Sequence, residues 1–288
     1  MRYYRTIEDG TARLVARDGE KAYDLTAARE GLDSFAALAN VADVLGTGID
    51  GVVEGLTADA PLLDAESVVA RAAMPAVPDE VWAAGVTYQV SSDAREEESG
   101  RGEIYQGVFE GDRPEIFFKA TASRTVGPGE KVGIRGDSDW DVPEPELAVV
   151  VHRGDIVGYT VGNDMSSRSI EGDNPLYLPQ AKIYDRCCAI GPAIASPATV
   201  GDPQNVELSM RIERDGETMF DDSTSTSNLV RSPEELVSYL NRHNETPELA
   251  VLLTGTSLVP EEFTLAEGDE IAIGIENVGR LENRVTTV

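Results

Sequence analysis

The chain is 288 residues long, enough for one large hydrophobic core or for a small domain beside a larger one. It sets 52 acidic against 24 basic side chains, and the formal net charge of −28 repels nucleic-acid phosphates and anionic lipid. No apolar run reaches bilayer length, and Met1-Arg-Tyr-Tyr-Arg-Thr6 lacks a signal-peptide core; a cytoplasmic protein with no nucleic-acid or membrane partner is expected.

In chain order, residues 3–7 and 12–16 read as strands around the turn Glu8-Asp9-Gly10, with a second turn at Asp18-Gly19. Residues 32–45 then repeat apolar side chains at helical spacing (Leu32, Phe35, Leu38, Val41, Val44, Leu45) and stop near Gly46. The alanine-rich, proline-punctuated stretch 70–78 reads as a junction. It divides the chain into a small N-terminal α/β domain, 1–73, and a larger domain, 78–288. Beyond it, residues 81–86, 115–119, 147–151, 156–161, 206–211, 250–253 and 270–275 read as short strands broken by Gly, Pro and Asp. The clearest helix is 232–243, where Ser232-Pro-Glu-Glu235 supplies an N-cap, a first-turn proline and a capping-box glutamate, and Leu236, Val237 and Leu240 an inner face. The acidic segment 89–110 reads either as a mobile cover over a site or as a solvated surface helix. The expected fold class is α+β, dominated by the β-rich second domain.

The stretch from Asp141 to Asp164 carries the clearest chemistry. Glu144 and Glu146 stand two apart in a segment that Pro143 and Pro145 keep extended, so their side chains share a face. A turn at His152-Arg-Gly-Asp155 separates the apolar run 147–151 from 156–161. If those strands pair, Asp164 approaches the two glutamates. Three converging carboxylates repel one another, and a bound Mg2+, Mn2+ or Ca2+ would relieve this; a solvated acidic strand edge is the alternative. Lys182, one of four lysines, lies among apolar and aromatic neighbours as a candidate carboxylate ligand or proton carrier, with a surface lysine packed on tyrosine as the alternative. Glu115 opens a buried-looking strand and reads as a general acid or base, or else as the salt-bridge partner of Arg113 or Lys119. Thr254-Gly-Thr256 ends an apolar strand, where hydroxyls and close backbone can meet a small anion. Adjacent Cys187 and Cys188 read as buried, reduced thiols, and two histidines in the whole chain do not make a histidine-rich zinc site.

Taken together, Glu144-Pro-Glu146-Leu-Ala-Val-Val, Tyr159-Thr-Val-Gly-Asn-Asp164-Met-Ser-Ser-Arg168, Leu253-Thr-Gly-Thr256 and Gly268-Asp-Glu-Ile…Glu276-Asn-Val-Gly-Arg-Leu281 resemble the fumarylacetoacetate hydrolase family over about residues 78 to 288. The resemblance implies a rolled, mixed β-sandwich with its site at one open end, Mg2+ on Glu144, Glu146 and Asp164, Lys182 as the motif lysine, and a homo-oligomer, tetramer or dimer. Hydrolytic members carry a His and a Glu, three and six residues after a Tyr, that activate water. Here Tyr88 is followed at those positions by Ser91 and Ala94, which speaks against C–C hydrolysis. Arg113-Pro-Glu-Ile-Phe-Phe-Lys-Ala120, Asp139-Trp-Asp-Val-Pro-Glu-Pro-Glu-Leu-Ala148 and Asn174-Pro-Leu-Tyr-Leu-Pro-Gln-Ala-Lys-Ile-Tyr184 are similar to one branch, the archaeal 2-keto-3-deoxy-pentonate dehydratases. That likeness implies a Mg2+-dependent hydro-lyase that makes 2,5-dioxopentanoate from a 2-keto acid. Lys182 and Glu115 would be its catalytic pair, and Lys182, Thr256, Tyr88 and Thr87 would hold the substrate. An acylpyruvate or diketo-acid hydrolase and a keto-acid decarboxylase are the rival enzymes, and a non-catalytic divalent-metal-binding protein is the rival outside enzymes.

The basic side of the ledger is lopsided, since only Lys21, Lys119, Lys131 and Lys182 are lysines. Acid excess with few lysines resembles proteins that work in molar salt, where screening acts over roughly 3 Å and surface self-repulsion is tolerable. Thermal melts are therefore expected to show a midpoint that falls steeply as KCl is lowered from molar to millimolar. An unchanged midpoint would contradict this reading.

Overall fold

Leu147, Ala148, Val149, Val150 and Val151 are all buried, at 1% exposure or less. A strand apolar on both faces needs cover on both, and this run lies inside strand Pro145–His152, at the heart of the larger of the two main sheets. The computed structural model describes residues 1–88, 102–260 and 263–288. In the larger sheet Pro145–His152 is flanked by Asp155–Asp164 and Leu249–Leu253. Beyond Leu249–Leu253 come Glu80–Gly85, parallel to it, and then Glu115–Ala120. On the other side, Asp155–Asp164 pairs with Cys188–Ala195, which pairs in turn with Arg2–Glu8. Arg2–Glu8 continues the sheet through Thr11–Asp18 to Lys21–Asp24. The first strands thus share a sheet with the strands of the acidic cluster, Tyr3 standing opposite Ile194.

The second sheet runs Glu217–Ser225, Glu207–Arg214, Glu270–Ile275, Gly279–Thr287, Lys131–Ile134. Strands Glu207–Arg214, Glu270–Ile275 and Gly279–Thr287 bury alternate positions, the signature of one covered face. The buried Leu208, Met210, Ile212, Ile271, Ile273 and Val285 join Val149, Val151 and Ile194 of the first sheet in one core. Helices are few and short, and the architecture is a strand-rich mixed α/β fold, as expected from the sequence.

Each strand read from the sequence overlaps an observed one; 81–86 runs one residue past the end of Glu80–Gly85, and 206–211 starts one residue before Glu207–Arg214. Helix Pro233–Asn241 has the predicted cap, the Ser232 side chain accepting from Glu235 N, and buries Leu236, Val237 and Leu240. The helix expected over 32–45 begins later, as Phe35–Leu45, because Ser34 is its N-cap; Gly46, in the left-handed region at φ 63°, ends it. Strand Cys188–Ala195 went unread because Gly191-Pro192 signals a break. The structure accommodates that dipeptide where the pairing with Asp155–Asp164 shifts register between Tyr159 and Val161. The expected cover over 89–110 lies mostly outside the described residues, apart from helix Gly102–Phe109 and the residues just after it.

Gly162 lies opposite Glu146. A Cβ there would stand 2.4 Å from Leu253 Cδ2 and 3.2 Å from the Ala148 Cβ. Gly162→Ala is accordingly expected to destabilise the protein by about 1–3 kcal/mol through overpacking, read from denaturant or thermal unfolding. A neutral effect would show that the sheet relaxes at this point.

Candidate active site

The turn between the two central strands has only Arg153 and Gly154 at its tip, at φ 49° and 95°. Positive φ at both tip residues gives the twist that fits a two-residue hairpin; a bulge between Val150 and Val151 then shifts the register by one residue, so that Pro145 stands opposite Asn163 and Glu146 opposite Gly162. Pro145 has no N–H and begins its strand, where none is needed. Just before it, Glu144 N donates to the Asn163 side chain at 3.2 Å, and Asp164 N donates to Glu144 O at 2.9 Å. These bonds carry the pairing one residue further and bring Asp164 to the two glutamates. Carboxylate oxygens of Glu144, Glu146 and Asp164 lie within 4.8 Å of one another, with the residues 4%, 1% and 1% exposed. The expected solvated strand edge is therefore not what forms. Burial, then the charges of Asp164 and Glu144, push the Glu146 carboxyl well above the usual range, and a 2.5 Å hydrogen bond from Gly255 N opposes them.

Three buried cations answer the carboxylates. Lys182, on the short helix Leu178–Lys182, donates to Glu144 Oε2 at 2.6 Å and to Ser166 Oγ at 2.5 Å, with Asp164 Oδ2 at 3.4 Å. Arg168 Nη1 reaches Glu144 Oε1 at 3.2 Å and the buried Glu171 at 3.6 Å. Lys119 lies 2.5 Å from Asp164 Oδ1 and donates to the carbonyls of Met165, at 2.9 Å, and Lys182. Burial pulls its ammonium down, but Asp164 and then Cys187 oppose this and leave it above its ordinary value. Sequence reasoning treated Lys119 only as a possible partner of Glu115. Its distinguishing signal was the rarity of lysine, since two of four lysines are among the largest fully buried side chains. Lys119 also sits where Val81 pairs with Ala120 but Trp82 with Phe118, a bulge that re-aims its side chain.

The same strand brings Glu115 and Phe117, two residues apart and so on one face. The Phe117 ring lies 6.0 Å from Lys182 Nζ. Glu115 stands opposite Gly85, where a Cβ would come 2.0 Å from Glu115 Oε2; only glycine leaves room for this carboxyl. Strand Glu80–Gly85 leads directly into Val86, a buried β-branched residue at φ 54°, a rarely adopted conformation that redirects the chain. Thr87 and Tyr88 follow, both buried. The Thr87 hydroxyl donates to Thr254 O at 2.7 Å and so ties this bend to the Thr254-Gly-Thr256 turn. Burial, with Glu146 nearby, pushes the Tyr88 phenol up. Gly255 adopts φ 91° with Thr87 Oγ1 where a Cβ would lie, leaving its N–H aimed at Glu146. Thr256 Oγ1 accepts from Leu258 N at 3.1 Å.

The donor set is all oxygen and concentrates three carboxylates in a buried space, which fits a hard divalent cation such as Mg2+. Lys182 beside Glu144 supplies an ionisable group, and the Phe117 ring lies next to its ammonium. Cys187 and Cys188 are buried free thiols behind the site, as expected, and burial raises the Cys188 thiol well above its usual range.

Comparison with known proteins matches residues 81–286 to the fumarylacetoacetate (FAA) hydrolase C-terminal family. The chain is 58% identical over 289 residues, covering 100% of both, to a probable 2-keto-3-deoxyxylonate dehydratase of Haloferax volcanii. It is 43% identical over 218 residues, 73% of each, to the 2-dehydro-3-deoxy-D-arabinonate dehydratase of Saccharolobus solfataricus. Among solved structures, 2-keto-3-deoxy-D-arabinonate dehydratase complexed with magnesium and 2,5-dioxopentanoate superposes with a TM-score of 0.84 at 34% identity, over 100% of this chain and 99% of that one. The chain belongs to the fumarylacetoacetate hydrolase family.

Proposed function

We infer that the protein is a Mg2+-dependent hydro-lyase that converts a 2-keto-3-deoxy-pentonate to 2,5-dioxopentanoate in the oxidative breakdown of pentoses. The observation that carries this reading is the meeting of three buried carboxylates with a buried lysine, in a chain similar over its whole length to named dehydratases of this substrate class. In this reading Glu144, Glu146 and Asp164 hold Mg2+, which when bound supplies a Lewis acid for negative charge developing on the 2-keto oxygen. Glu115 takes the C3 proton, and the Lys182 ammonium gives a proton to the C4 hydroxyl. The C3–H and C4–O bonds break, water leaves, and the unsaturated keto acid isomerises to the aldehyde. Thr256, Tyr88 and Thr87 line the substrate's space, and Phe117 keeps water from the Lys182 side of it. The same reading includes a cytoplasmic homo-oligomer, dimer or tetramer. Among the described residues no helix is long and apolar enough to cross a membrane.

Incubation with Mg2+ and 2-keto-3-deoxy-pentonates, followed by trapping of dicarbonyls, is expected to yield 2,5-dioxopentanoate. Release of CO2 would assign a decarboxylase, and a carbon–carbon cleavage fragment a hydrolase. Lys182→Ala and Glu115→Ala are each expected to lower kcat by about a hundredfold or more with the fold intact by circular dichroism. Near-normal turnover in either would remove that residue from the mechanism. Gly85→Ala, which forces the Glu115 carboxyl aside, is expected to reproduce the Glu115→Ala loss while Mg2+ affinity is retained.

A further inference from the structure

The two buried lysines meet the acidic cluster in different ways. An ammonium has three N–H donors. Lys119 donates to the main-chain carbonyls of Met165 and Lys182 and forms an ion pair with Asp164 Oδ1. Two of those partners are backbone, so this charge is fixed in place. Lys182 instead meets side chains of the cluster: Glu144 Oε2 at 2.6 Å, Asp164 Oδ2 at 3.4 Å and the neutral Ser166 Oγ at 2.5 Å. It thus bridges two of the three carboxylates that converge, from the end of the five-residue helix Leu178–Lys182. A primary ammonium and a divalent cation are rivals for such oxygens, and two like charges repel strongly where water is excluded.

We propose that Lys182 is a placeholder cation: its ammonium holds Glu144 and Asp164 together while divalent metal is absent, and metal loading drives it off these carboxylates toward the anionic keto acid. The inference rests on the Mg2+ reading given above and adds a coupling to it. Metal alone binds the protein weakly, because an internal counter-ion has to be displaced. A bound keto acid gives the released ammonium a new anionic partner, so metal and substrate favour each other's binding.

Isothermal titration of Mg2+, without substrate, into wild type, Lys182→Met and Lys182→Gln tests the idea. Both variants are expected to bind Mg2+ about tenfold or more tightly than wild type. Equal or weaker affinity in the variants overturns the proposal. Lys182→Gln retains a polar group for Ser166, so it reads out the effect even if Lys182→Met fails to fold. The unaltered protein gives a parallel answer, since its four lysines make side-chain resonances assignable. On saturation with Mg2+, the Lys182 ammonium is expected to lose protection from solvent exchange while Lys119 keeps it. Protection retained at Lys182 overturns the proposal. Mg2+ binding to none of the three proteins would sink the metal reading with it, whereas wild-type binding with unchanged variants sinks the placeholder alone.

Discussion

Charge balance without water is the constraint on which the rest of the site depends. Glu144, Glu146 and Asp164 are all but removed from solvent, and isolated charges so placed would be far too costly to keep. The fold therefore surrounds them with Lys182, Lys119 and Arg168 and with a backbone amide at Gly255. Truncating one member of such a set leaves its partner buried without compensation. The arrangement is over-determined from several directions: helix Leu178–Lys182, the bulge in Glu115–Ala120, helix Arg168–Asp173 and the turn after Leu249–Leu253 each bring one member.

Apart from the two helices, the contributors come from segments far apart in the chain but adjacent in the sheet. The order Glu115–Ala120, Glu80–Gly85, Leu249–Leu253, Pro145–His152, Asp155–Asp164 lines up five strands, and the residues at or just beyond their ends form the site. Glycines make the close approaches possible at Gly85, Gly162 and Gly255, where side chains or backbone of neighbouring strands already occupy the space of a Cβ.

Much of this was legible in the sequence, and the part that was not has a physical reason. Alternation, proline spacing and the Arg153-Gly154 turn brought Glu144, Glu146 and Asp164 near one another, because a hairpin is a local structure, but the bulge at Val150 and Val151 that sets their final register left no mark in the sequence. The helix Pro233–Asn241 was equally open to reading through its cap. Lys119 was not, because its partner Asp164 is distant in sequence and its aim depends on a bulge that leaves no compositional mark. The Gly255 amide escaped for a related reason, since a backbone donor has no residue identity to search for. Strand Cys188–Ala195 was hidden by a dipeptide that elsewhere ends strands.

The pairing of Arg2–Glu8 with Cys188–Ala195 carries a consequence for how the protein can be divided. The portion that matches the family model begins at residue 81, yet on its own it would leave the apolar residues 193–195 as an unpaired edge, since Thr125–Val126 pairs only with Cys188 and Ala189. Such an edge recruits strands from other molecules. The opening hairpin therefore shields the catalytic sheet from aggregation, so its contribution would be felt as solubility even though none of its side chains enters the site.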